Sequence, residues 1–327
     1  MRRASTSSRP ASTVSRSSAR RCNSRLSPFM SEAPVPSTGA SLFSLVPDAE
    51  AAAASARAAA DRLVIPITRG LRRTSGQVSG SAAGSSIDFQ DHRPYMPGDD
   101  PRHIDWQAYA RSGHYTMKLY REEVRPLVDL VIDCSPSMAL DAVKARRSLE
   151  LAAFCLETVQ RSASSLHVFT LAGATTTPLE NSLALHQIAI AGEVESVPRF
   201  ELIPWRAASL RIVISDLLFA ANPEAICPAL AAGNGRGIIF APHCTAESDP
   251  DWQGNTELAD CESTARRDFQ FSQDDLRQYR ATYANHFALW QDATRRCGIA
   301  LARVSAESPL VDALRENALS VGAVEIA

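Results

Sequence analysis

From Val124 to the C-terminus, apolar strand-like runs alternate with helical patterns, and nothing else in the chain narrows its fold so far. Strands are expected at 126–132, 165–172, 209–215, 237–242 and 298–304. Helices are expected at 141–161, 182–195, 223–232, 273–296 and 309–320. In the first of these helices Ala145, Leu149, Ala152, Leu156 and Val159 recur every three or four residues, the spacing of a buried stripe. The run Arg211-Ile212-Val213-Ile214 carries apolar residues on both faces, as a strand inside a parallel sheet does. Strand and helix in alternation predict an α/β fold: a doubly wound, mostly parallel sheet with helices on both faces. No internal repeat is visible.

Upstream the pattern is different. Residues 1–40 are rich in Ser, Arg, Pro and Ala and are expected to be a disordered leader. They hold no apolar core of a secretory signal. Their composition is like that of an organelle transit peptide, but a plain leader, or a start at Met30, is the preferred reading. Residues 48–62 read as a helix with acidic residues near its start. Across 63–123, Gly70, Gly76, Gly80, Gly84, Gly98 and Gly113 interleave with prolines, which is punctuation for turns and short strands. The chain thus divides into a leader (1–40), an N-terminal helix with a Gly/Pro-rich β/loop segment (41–123) and an α/β domain (124–327).

Charge excludes one class of function. Residues 1–29 carry seven Arg and no acid, so the formal −2 of the whole chain becomes 27 basic against 36 acidic residues, −9, in the remainder. An acidic body argues against general nucleic-acid binding. No apolar run reaches the roughly 20 residues needed to span a bilayer. The seven cysteines are scattered without a C-x-x-C pair, which reads as reduced thiols of a cytoplasmic protein and not as a disulfide framework or a zinc site.

The first strand ends in Asp133-Cys134-Ser135-Pro136-Ser137-Met138, an Asp-x-Ser-x-Ser run. In an open α/β sheet, ligands sit beyond the carboxyl ends of strands. Asp133 lies there, and Asp216, in Ile214-Ser215-Asp216-Leu217-Leu218, lies at the same end of another strand. Two carboxylates with the hydroxyls of Ser135 and Ser137 make a hard oxygen set suited to Mg²⁺. The alternative is that these residues only cap the helices that follow each strand.

Residues 124–320 resemble a von Willebrand factor type A domain, with Asp133, Ser135 and Ser137 matching its metal-ion-dependent adhesion motif and Asp216 its later Ser-Asp. Residues 84–120 contain Arg93-Pro94-Tyr95-Met96-Pro97-Gly98-Asp99-Asp100-Pro101-Arg102-His103-Ile104-Asp105-Trp106, followed by Arg111, Lys118 and Tyr120. This is similar to the signature of the bacterial family called domain of unknown function 58, and the resemblance covers about residues 45–320. It implies a non-enzymatic protein-interaction module, an adaptor or chaperone-like partner of a MoxR-type AAA+ ATPase or of its client. The type A domain would engage a partner carboxylate through Mg²⁺. The full motif of that domain also takes a Thr from a separate loop. Thr175, Thr176 and Thr177 follow a strand too early to fill that place clearly.

The signature itself has two readings. It is either a partner surface, which would make the protein a metal-independent scaffold, or an internal clamp. In the clamp, Pro97-Gly98 turns the chain, Asp99, Asp100 and Asp105 pair with buried Arg93, Arg102 and Arg111, and Trp106 anchors the segment near the sheet. His92 and His103 beside these acids raise a third, less favoured reading, a metal-dependent hydrolase, although they do not form a helical ligand pair. There is no Walker lysine motif, the Gly-rich stretch 76–84 is too loose for a phosphate loop, and no G-x-S-x-G elbow exists. Trp205-Arg206 and Trp252 are read as core-edge packing in preference to interface anchors, and 256–263 as a further edge hairpin.

Overall fold

The computed structural model describes residues 39–68, 88–121, 125–181, 184–191, 194, 196–252, 254–261 and 265–327. The expectation for 1–40 therefore lies, apart from Gly39 and Ala40, outside the described residues, as does the Gly-rich stretch 76–84. The chain opens with α1 (Leu42–Leu45), α2 (Ala49–Ala60) and β1 (Leu63–Val64). Then come β2 (Asp88–Pro94), α3 (Trp106–Ser112), β3 (Thr116–Arg121), β4 (Leu127–Asp133) and α4 (Ala142–Arg161). These lead to β5 (Ser165–Ala172), β6 (Thr175–Leu179), α5 (Ala184–Gln187), β7 (Leu210–Ile214) and α6 (Pro223–Ala231). β8 (Arg236–His243), α7 (Thr245–Ser248), β9 (Gly254–Ala259), β10 (Arg266–Phe271) and α8 (Gln273–Arg296) follow. β11 (Ala300–Ser305), α9 (Leu310–Asn317) and β12 (Glu325–Ile326) complete the chain.

Six strands form the central sheet in the order β11-β8-β7-β4-β5-β6. All neighbours are parallel except β6, which runs antiparallel to β5. Side chains alternate across the sheet. Leu130, Ile132, Ile212, Ile214, Ile238 and Phe240 join one core with α2, α4 and α9, whereas Val131, Val213, Ile239 and Ala241 join a second with α6 and α8. The sheet is thus mostly parallel with helices on either face. β1 pairs with β12, so residues near the two ends of the described chain clasp each other.

β4 is followed in sequence by β5 on one side, while β7, and then β8, lie on the other. The carboxyl ends of β4 and β7 therefore flank the point where the winding direction reverses, the place where a crevice opens in such sheets.

Two expected elements differ. The helix expected at 182–195 is one turn, Ala184–Gln187, because Ile188 and Ile190 are drawn into the core and bond backbone with Leu42 and Ala40. The hairpin suspected at 256–263 is larger, and β9 and β10 form a two-stranded sheet of their own instead of an edge of the central one. No helix among the described residues is long and apolar enough to cross a membrane.

Candidate functional site

The Asp-x-Ser-x-Ser run leaves β4 at the crevice. Asp133 closes the strand, and Pro136 starts a 3-10 turn through Ala139 that folds the chain back towards α4. Asp133 Oδ1 accepts from the Ser135 backbone N–H at 2.9 Å, and Oδ2 accepts from Ser215 Oγ at 2.7 Å. Ser135 Oγ and Ser137 Oγ are 2.9 Å apart. Asp216 enters from the end of β7, its Oδ1 accepting from Leu218 N–H at 3.1 Å. All four residues predicted from the sequence, Asp133, Ser135, Ser137 and Asp216, are brought together, each at most 4% exposed. The α-helices that follow the two strands are capped by other residues, α4 by Asp141, which accepts from Lys144 N–H, and α6 by Asn222, which accepts from Glu224 N–H. Ser135 holds the cap position of the 3-10 turn but makes no side-chain capping bond.

Sequence reasoning missed a cation inside the site. Lys144, in the first turn of α4 and fully buried, donates from Nζ to Asp216 Oδ2 at 2.7 Å and to Glu247 Oε1. Glu247 sits in the short helix α7 and also accepts from Cys244 N–H at 2.9 Å. The only signal for Lys144 was its identity, one of two lysines among 34 basic residues.

Charge settles unevenly over these groups. Burial alone would lower the Lys144 ammonium, but Asp216 and Glu247 hold it well above its ordinary range. Burial would raise Asp216, yet Lys144 keeps it below the usual carboxylate value. Asp133 has no ammonium beside it. Burial, reinforced by the charge of Asp216, pushes its carboxyl up to about 6.

A narrow cleft with about 10 Å³ of free volume, near the least that holds a single water, opens onto Ser135 and is lined by Val194, Ser196, Val197, Pro198 and Phe219. Ser196 comes from a separate loop, and its Oγ accepts from the Ala174 N–H at 3.1 Å. Thr175 to Thr177 instead form the edge strand β6.

The donor chemistry fits a hard divalent cation. Adjacent oxygens around an octahedral ion at about 2.1 Å lie about 3 Å apart, close to the 2.9 Å between the two serine hydroxyls. The one ammonium, Lys144, pairs with Asp216 and Glu247, and Asp133 adds a third carboxylate outside that pair, a formal excess of two negative charges when all three are ionised. Among the described residues no group of three or more His, Cys, Asp or Glu side chains forms a metal cluster, so any cation here depends on the hydroxyls.

The signature segment is built differently from the clamp expected of it. Arg93 pairs bidentately with Asp99 at 2.7 Å, and Arg102 with Asp100 at 2.9 Å, but both pairs are partly or largely exposed. Asp105 pairs with His92 Nε2 at 2.7 Å and caps α3 through the N–H groups of Gln107 and Ala108. Arg111 bonds the Gln107 carbonyl of its own helix. Pro97-Gly98 does turn the chain, with Gly98 at φ 107°. Trp106 does not anchor the segment: it is 59% exposed, in edge contact with Tyr109 and Tyr115, and Tyr95 approaches Tyr115 in turn. Trp205 donates to the Phe200 carbonyl, Arg206 pairs with the buried Asp129, and Trp252 packs on Phe271 and Tyr279. Cys134, Cys155, Cys227, Cys244 and Cys297 are free thiols.

A family model described as protein of unknown function DUF58 matches residues 91–288. No curated protein matches the chain.

Proposed function

The chain belongs to the DUF58 family, and from that premise we propose that it is a non-enzymatic interaction module with a cation-dependent partner site. Asp133, Ser135 and Ser137 would hold a Mg²⁺ ion, with Asp216 contributing through water. The ion would supply a Lewis-acidic position for a carboxylate of the partner protein. The residues themselves do the rest: Ser215 and the Ser135 amide orient Asp133, while Lys144 neutralises Asp216 and keeps it from competing as a full ligand. The observation that supports this most is the convergence of two hydroxyls and the Asp133 carboxylate at the sheet's reversal point, beside a cleft. The resemblance stated above extends the proposal to the partner, a MoxR-type AAA+ ATPase or its client.

Capture of partner proteins by the full chain, in Mg²⁺ and in chelator, tests the reading. Asp133→Ala is expected to remove the Mg²⁺-dependent fraction while far-UV circular dichroism stays that of the native fold. Equal capture in chelator and in Mg²⁺ would overturn it.

One observation favours a second reading, a metal-independent surface on the 89–111 segment. Trp106 and Met96, both on this segment, are more than half exposed, Trp106 meets the half-exposed Tyr115 just beyond it edge-on, and exposed aromatics anchor interfaces. In that case Trp106→Ala or Arg102→Ala weakens capture more than Asp133→Ala does.

A further inference from the structure

Four non-glycine residues among those described have positive φ: Ala163, Ala208, Leu217 and Asn234. Leu217, at φ 60°, is the buried one, its side chain locked in the core between the sheet and α8. A leucine in the left-handed region is unfavourable and persists only where its surroundings hold it. It lies directly after Asp216.

The bonds of this turn show what it does. Leu217 N–H donates to Ser215 Oγ at 3.2 Å, and Ser215 Oγ donates to Asp133. Leu218 N–H donates to Asp216 Oδ1, and Asp216 N–H to Met138 Sδ at 3.3 Å. The Leu217 carbonyl is met by His286 Nε2, on α8, at 2.8 Å. A carbonyl only accepts, so Nε2 carries the hydrogen. Burial pushes the imidazole below its ordinary range, against the opposing pull of the Leu217 carbonyl and Asp216.

We propose that His286 is a positioning residue for the cation site: it holds the Leu217 carbonyl and so locks the left-handed turn that aims Asp216 and Ser215. This deepens the reading above and rests on it for its functional consequence.

The test compares His286→Gln, which keeps an N–H donor, with His286→Phe, which keeps a ring and loses the donor, in the full-length protein. Mn²⁺ binding is followed by electron paramagnetic resonance, and exchange of the Leu218 amide is followed in metal-free protein. His286→Phe is expected to weaken Mn²⁺ binding about five- to tenfold, the worth of one such bond, and to accelerate Leu218 exchange. His286→Gln is expected to stay within about twofold of the wild type on both readouts. Should Phe disturb folding, His286→Ala takes its place at matched folded fraction. Unchanged binding and exchange in the donorless variant, or equal losses in both variants, would overturn the proposal. Absence of Mn²⁺ binding by the wild type would defeat the cation reading, and Leu218 exchange would then decide the positioning claim alone.

Discussion

Lys144 joins two buried carboxylates that arrive from different parts of the sheet, Asp216 after β7 and Glu247 after β8. Removing one partner of a buried ion cluster leaves uncompensated charge and costs about 3–5 kcal/mol. Lys144→Met should therefore lower the urea midpoint strongly in chelator, and an unchanged midpoint would deny the ammonium its place in the site. Helical periodicity offers no warning of this role. α4 is buried nearly all round, so Lys144 lies on neither a polar face nor the apolar stripe alone. What the motif does make legible is Asp133 to Ser137: a strand end followed by a tight turn leaves few ways to point those oxygens other than together.

At the scale of elements, caps and small residues carry much of the order. Asp105 caps α3 and pairs with His92, whereas Arg111 bonds the Gln107 carbonyl within its own helix. Asp105→Ala should destabilise α3 by about 1 kcal/mol, the worth of a cap, and speed exchange of its amides. Arg111→Ala should change them little. α2 packs on α4 through Ala52, Ala56 and Ala59, none of them exposed to solvent. The alanine run was readable as a helix, and its burial follows from that flat, small-residue face. Ala56→Leu would overfill this contact and cost about 1–3 kcal/mol, seen as a lower melting temperature. The 182–195 segment leaves the helix after one turn because Ile188 and Ile190, two residues apart as on one face of an extended chain, bond backbone with Leu42 and Ala40, a long-range choice that local spacing does not encode.

For the whole molecule, stability against pH combines buried groups of opposite sense. The Asp133 carboxyl titrates near 6 in the fold against an ordinary 3.8, so its contribution is complete below about pH 3.8 and is lost as pH rises through 6. His243 is pushed from 6.5 to about 4 by burial and then by Arg303, so its contribution is complete above pH 6.5 and is lost as pH falls through 4. Between pH 4 and 6 the two oppose each other. Asp133→Asn should stabilise the metal-free protein at pH 8 by up to about 3 kcal/mol, while leaving the loss from His243 uncovered on acidification. Urea unfolding in chelator at pH 4.5, 6 and 8 checks both signs. A variant no more stable than the wild type at pH 8 would show that Asp133 carries no burial cost.

The alternation of apolar runs was enough to determine an α/β chain with a mostly parallel sheet, because strand and helix periods are local properties of the covalent chain. The same holds for the oxygens of Asp133, Ser135 and Ser137, which are neighbours in sequence. Lys144, Glu247 and the Leu217 turn held by His286 belong to tertiary structure alone. Each depends on which strand ends become neighbours, and that order is set by how two cores close on either face of the sheet, not by any spacing along the chain.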